Sequence, residues 1–137
     1  IFTKAILERK KIKIFNYGKM KRDFTYIDDI VEGVFRCCYK PASQENWKPS
    51  MQTSAPFRIF NIGNGDPVKL MDFVKILESK IGIYSEKEFT EMQKGDVIET
   101  FASISALQDW VDYRPKVSVE EGVDKLVDWY LKYYSKK

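Results

Sequence analysis

The sequence predicts a mixed α and β fold with few strands for its number of helices. Three observations predict it. Apolar residues recur at spacings of three and four in three separate stretches, the mark of one-sided helices. Between these lie short alternating or β-rich runs, each cut off by glycine or proline. And 137 residues that are 44% hydrophobic and 15% aromatic supply one core in one domain.

In chain order, residues 2–9 read as the end of a helix. Ile12-Lys13-Ile14-Phe15 alternates like a short strand, and Asn16-Tyr17-Gly18 reads as a turn. Asp23 to Tyr26 is a second short extended piece. Asp28 or Asp29 then suits a helix N-terminus, with Ile27, Ile30, Val31, Val34, Phe35 and Cys38 on one face. Residues 41–56, with three prolines among Ser, Gln and Asn, make a surface loop. Phe57 to Ile62 is β-rich and runs into the turn Gly63-Asn64-Gly65. Leu70, Phe73, Val74, Leu77 and Ile81 stripe a helix that Gly82 caps. A strand is expected over Glu86 to Met92, a break at Gly95-Asp96, and a short helix from Ser103 to Trp110. Ser118-x-x-Glu121 is a capping box ahead of a last helix striped by Val119, Val123, Leu126, Val127, Tyr130 and Tyr134. A sheet this small leaves helices without a floor to pack on. The chain therefore reads as part of something larger, an impression that its first residues, Ile1-Phe2-Thr3-Lys4, reinforce by resembling the middle of a helix.

Composition narrows the chemistry. There is no histidine, which sets aside zinc sites and Ser-His-Asp hydrolysis. A net charge of +3 from 23 basic and 20 acidic residues is too balanced to imply nucleic acid. No apolar run suggests a membrane span or a signal peptide. The adjacent Cys37 and Cys38 have no other cysteine to pair with, which fits a reducing, cytoplasmic compartment.

Several motifs tempt. Gly63-x-Gly65 begins like a dinucleotide fingerprint, but the third glycine position is Val68, and a turn needing positive φ accounts for it. Tyr-x-x-x-Lys occurs at Tyr17/Lys21, in a glycine turn, and at Tyr133/Lys137, at the C-terminus; both read as coincidence. No catalytic and no metal-binding residue is expected. Arg22 is different. It ends a glycine turn beside an aromatic residue, where a guanidinium can grip phosphate with two parallel hydrogen bonds. The plainer reading is a surface salt bridge with Asp23 or Asp28.

Four blocks, in register, carry a resemblance. Gly18 to Asp29 is similar to the Gly-x-x-x-Arg-Asp-(Phe/Tyr)-x-(Tyr/His)-(Ile/Val)-x-Asp block of nucleotide-sugar epimerases and dehydratases, in the extended short-chain dehydrogenase family. Phe60-Asn61-Ile62-Gly63-Asn64-Gly65 resembles their Asn-Ile-Gly-x-Gly strand end. Gly95-Asp96-Val97 through Phe101-Ala102-Ser103 resembles a third block, and Ser118 to Tyr130 resembles their terminal helix. The wording around Met92 to Val97 is most similar to the UDP-glucuronate 4-epimerase branch.

The resemblance implies the C-terminal, substrate-binding portion of a Rossmann-type fold, with the N-terminal nucleotide-binding half absent. It implies that Arg22 binds the diphosphate of a UDP-sugar, that Phe15 lies against uracil with Phe24 beside the uridine, and that Asp96 accepts from the ribose hydroxyls. Gln93 falls where many relatives carry a second arginine. NAD is implied for the whole enzyme and none for this chain alone; its partners would be the UDP-sugar and the missing half. Bare apolar faces on the helix of Ile30, Val31 and Val34 and on Phe57 to Ile62 would follow, inviting self-association. Dehydratases, decarboxylases and other epimerases share this portion; a free-standing nucleotide- or protein-binding module is the alternative of another class.

Overall fold

The computed structural model describes residues 1–46 and 55–134. Its elements, in order, are α1 (Phe2–Leu7), β1 (Ile12–Ile14), a 3-10 turn (Phe15–Gly18), β2 (Lys21–Arg22), α2 (Ile27–Tyr39), β3 (Val68–Lys69), α3 (Leu70–Ile81), β4 (Lys87–Phe89), α4 (Ser105–Val111) and α5 (Val119–Tyr134).

The core forms where helices meet a two-stranded sheet. Alternation along β1 sends Ile12 and Ile14 inward and Lys13 outward. β1 pairs in parallel with β4, Ile12 opposite Lys87 and Ile14 opposite Phe89. Onto this floor α1 brings Ile6, α3 brings Val74 and Leu77, and α5 brings Val123 and Val127, all buried in one cluster. Full burial of each such aliphatic side chain contributes about 1.5–3 kcal/mol. Gly82 ends α3 in the left-handed region, φ 74°, where a Cβ would be strained. Half of the expected capping box is made: Ser118 Oγ accepts the Glu121 N–H at 3.1 Å. Glu121 instead turns its carboxylate to Lys125, 2.9 Å away.

Glu78 ties the core's edge together. It is 3% exposed, and its Oε1 accepts from Ser85 N–H (2.8 Å), Ser85 Oγ (2.5 Å) and Lys87 Nζ (2.6 Å). Burial alone would raise its pKa. The hydrogen bonds and charge of Lys87 and Ser85 outweigh that and hold it below the ordinary glutamate value.

A second, smaller ladder carries Arg22. β2 pairs antiparallel with β3, Lys21 opposite Lys69 and Arg22 opposite Val68. On its other edge the Lys21 N–H bonds the Ile98 carbonyl at 2.9 Å, and the Thr100 N–H bonds the Lys21 carbonyl at 3.2 Å. Two residues of strand are thus gripped from both sides.

Helix α2 packs on α4 and on the segment before α5. Gly33 is buried, and a Cβ there would come within 3.4 Å of Ile62 and Tyr113. Asp29, 6% exposed, accepts from Lys116 and Val117 N–H at 3.0–3.2 Å. The opposite face is bare: Ile27, Val31, Val34 and Phe35 are each more than half exposed, whereas Ile30 is half-buried. That is the unroofed helix the sequence predicts, with Ile30 removed from the exposed set.

Other expectations shift. Phe57 to Ile62 forms no strand: β propensity needs a partner edge, and none lies beside this run among the described residues. The extended piece expected at Asp23 to Tyr26 falls earlier, at Lys21–Arg22, because the Asp23 N–H goes to Thr100 Oγ1 (3.0 Å) and leaves the ladder. The strand expected over Glu86 to Met92 shrinks to Lys87–Phe89, since β1 curls away through positive φ at Asn16 and Tyr17. The short helix starts at Ser105, not Ser103. Of the loop 41–56, residues 47–54 lie outside the described residues, as does Lys137.

Glu78→Gln should destabilise the fold by about 2–3 kcal/mol at neutral pH, the cost of weakening a buried, multiply bonded charge. Because the folded pKa is depressed, this contribution is present above the unfolded value and is lost as pH falls through the folded one. Urea melts from pH 7 to pH 3 should show a steeper acid loss for wild type than for the variant; parallel profiles would contradict it.

Candidate functional site

The structure brings Arg22 and Asp96 together, 74 positions apart in sequence. Arg22 Nη2 donates to Asp96 Oδ1 at 2.9 Å, and Nη1 donates to the carbonyls of Lys21 (2.8 Å) and Ile98 (3.3 Å). The pair is 23% and 31% exposed, poorly screened but open to a ligand. The salt bridge with Asp23 or Asp28, allowed from sequence, is not what forms. Asp96 reaches Arg22 from a turn in which its own N–H bonds the Gln93 carbonyl at 3.2 Å and Gly95 takes φ 86°. Asp96 Oδ1 also accepts the Val97 N–H at 2.8 Å.

Phe15, Arg22 and Phe24 line one cavity of about 730 Å³ with Phe2, Phe73 and Leu126. That volume lies within the range of small-molecule sites, and apolar walls with a few polar groups are their usual make-up. Phe15 opens the 3-10 turn instead of standing on the strand, yet it still faces this cavity. Phe24 is held by a stack on Phe73, ring centres 4.1 Å apart and planes 13° from parallel. Gln93 is exposed and is no part of the cavity wall; its place is in the turn that delivers Asp96.

The residue that sequence reasoning missed is Asp23. Its carboxylate accepts the N–H groups of Asn64 (3.1 Å), Gly65 (3.1 Å) and Ala102 (3.0 Å). It thereby joins three segments that meet beneath Arg22. A signal was present: a Gly-x-Gly turn exposes N–H donors that need an acceptor, and a carboxylate beside the key arginine is one. The same bonds decide what this turn can hold. NAD presents a pyrophosphate that must take turn N–H groups, but those of Asn64 and Gly65 are already spent on Asp23, so the Gly63–Gly65 turn does not fit that group.

Gly63 has its own reason. A Cβ there would stand 2.4 Å from Ala102 Cβ and 2.8 Å from Asp23 Oδ2. Only glycine allows the turn to press against the clamp.

The other motifs stay apart from chemistry. Tyr17 is exposed with φ 51°, and Lys21 lies on β2 facing Glu99 at 3.7 Å, so the two share no helix face. Cys37 and Cys38 are free thiols; burial, with Cys38 adding to it, pushes the Cys37 pKa up, away from a reactive thiolate. Among the described residues no cluster of potential metal ligands occurs, and no helix is long and apolar enough to cross a membrane.

Comparison with known proteins gives a consistent picture. Residues 1–63 match the NAD dependent epimerase/dehydratase family. The chain is 46% identical over 140 residues to Protein CapI of Staphylococcus aureus, across 98% of this chain and 42% of that protein. It is 42% identical to a probable UDP-glucuronate 4-epimerase of Rhizobium meliloti, across 97% and 41%. The fold superimposes on the UDP-glucuronic acid 4-epimerase of Bacillus cereus in complex with UDP-glucuronic acid and NAD, with TM-score 0.79 and 28% identity, over 97% of this chain and 39% of that one. The chain thus spans about two-fifths of the length of these relatives.

Gly63→Ala should cost about 2–3 kcal/mol, at the upper part of what overpacking costs, because the neighbours are a backbone-fixed methyl and a clamped carboxylate. A urea melt reads this directly. A loss under about 0.5 kcal/mol would mean that the turn and Ala102 are not pressed together.

Proposed function

The chain belongs to the NAD-dependent epimerase/dehydratase family, and on that premise we propose that its residues hold the UDP end of a UDP-sugar. The whole enzyme would be a UDP-glucuronate 4-epimerase. The observation that carries this reading is the convergence of Arg22 and Asp96 at 2.9 Å on the rim of a cavity walled by Phe15 and Phe24.

Each part has work to do. Phe15 offers a flat apolar surface to the uracil ring. Phe24, pinned by Phe73, shapes the wall beside the ribose. Arg22 presents a rigid fork to the diphosphate, and Asp96 accepts from ribose hydroxyls. Gln93 can add an amide donor only by turning its exposed side chain toward the phosphates. Fixing the nucleotide while the sugar stays loose lets the sugar turn over without leaving, a use of remote binding energy to hold reactants in place. Reversible oxidation of the sugar is the chemistry NAD supplies when bound, and we assign its binding to a half of the enzyme outside these residues. The bare face of α2, with Val31 and Val34 more than half exposed, is where that half would pack. A cytoplasmic setting agrees with the two free thiols.

Replacing Arg22 with Ala should weaken UDP binding roughly ten- to a hundredfold, as expected from losing a charge-assisted bond of about 1.5–3 kcal/mol. The deficit should narrow in 1 M salt, where charges are screened within about 3 Å. Calorimetric titration of UDP into both proteins reads it. Equal affinities would overturn the diphosphate role of Arg22.

A further inference from the structure

The Arg22–Asp96 pair poses a chemical question. The guanidinium proposed to grip a diphosphate is already compensated by groups of the protein itself. Its outer nitrogen is bonded to a carboxylate at 2.9 Å, and its other terminal nitrogen is spent on the carbonyls of Lys21 and Ile98. An anion arriving at this rim meets a neutral pair. It also meets Asp96 itself, whose like charge it must approach closely.

Asp96 is used asymmetrically. Oδ1 accepts both the Arg22 guanidinium and the Val97 N–H, while no bond to Oδ2 is formed among the described residues. A carboxylate with one oxygen pinned and the other open is a ready acceptor for a hydroxyl donor, above all for a vicinal diol. The neighbouring cavity is walled by Phe2, Phe15, Phe24 and Phe73, which suits a flat base and not a bare inorganic anion.

We propose that Asp96 is a specificity-determining residue that rejects bare phosphoanions and admits the same group when it is joined to a ribonucleoside. A ribose diol donating to Oδ2 draws the carboxylate's charge toward itself. That loosens its hold on Arg22 at the moment the attached diphosphate arrives. Pyrophosphate has no diol to offer, so it gains nothing at Oδ2 and faces the full repulsion. The site thereby favours a nucleoside diphosphate over free phosphate or pyrophosphate, the abundant competitors that share its charge. This inference rests on the proposed UDP-binding role of the site and concerns how that site discriminates.

The test is a set of titrations of UDP, uridine and pyrophosphate into the expressed protein and three variants: Asp96→Asn, Arg22→Gln and the double variant. Thermal melts confirm that each is folded. Asp96→Asn keeps the shape and the Val97 contact but removes the charge. It should bind pyrophosphate at least fivefold more tightly than wild type, bind uridine three- to tenfold more weakly, and so narrow the preference for UDP over pyrophosphate by at least tenfold. The double variant should lose the pyrophosphate gain, which ties that gain to the released guanidinium. Pyrophosphate affinity unchanged or lower in Asp96→Asn, with wild type binding UDP normally, overturns the proposal and leaves the UDP reading standing. Wild type that binds neither UDP nor uridine removes both.

Discussion

One carboxylate organises the side of this protein that carries Arg22 and Asp96. Asp23 receives three backbone N–H groups from two loops some forty and eighty residues further along the chain. Its own N–H is fixed by the hydroxyl of Thr100. Hydrogen bonds to an ionised group contribute about 1.5–3 kcal/mol each before the cost of partly burying the charge. A single interaction would fix a direction; three from two separate segments fix a place. This charge ties together the turn at Gly63–Gly65, the strand of Arg22 and the segment at Ala102, and the missing side chain of Gly63 leaves room for their contact.

The site is a consequence of that meeting. Arg22 follows Lys21, whose N–H and carbonyl are held by Ile98 and Thr100, and immediately precedes Asp23. Its guanidinium therefore emerges between two anchored residues and is aimed along the Ile98 carbonyl toward Asp96. The aromatic wall is set independently, by the buried core: Phe73 lies on α3, whose Val74 and Leu77 are buried, and Phe24 stacks on it. Polar rim and apolar wall are thus built by separate parts of the fold that touch at residues 22 to 24. The helices on the core side share little with this arrangement. Asp29 does for α2 what Asp23 does for the site, taking two N–H groups from the segment that leads into α5.

Much of the fold was legible because its signals are local. The stripes of α3 and α5, the left-handed Gly82 and the alternation of Ile12 and Ile14 are decided by residues within one turn or one strand. The resemblance named the residues of the rim, and three of them, Phe15, Arg22 and Phe24, do share a cavity. What could not be read depends on long-range pairing. Phe57 to Ile62 has strand-forming residues but, among the described residues, no ladder to join. The pairing of Arg22 with Asp96, in place of Asp23 or Asp28, is decided by a turn 74 positions away. In the sequence an acid next to a prominent arginine invites an ion pair, while the real partners of Asp23 are backbone groups that no side-chain pattern advertises.

Amide hydrogen exchange tests this account at its centre. In the wild-type chain the N–H groups of Asn64, Gly65 and Ala102 should be protected together. In Asp23→Asn their exchange should quicken together, by roughly ten- to a hundredfold, on the scale of about 1.4 kcal/mol per tenfold. Amides in α3 and α5 should keep their protection, since the core does not rest on this charge. Three amides that exchange freely in the wild type, or that respond to the substitution one at a time, would contradict the claim that Asp23 is the common anchor.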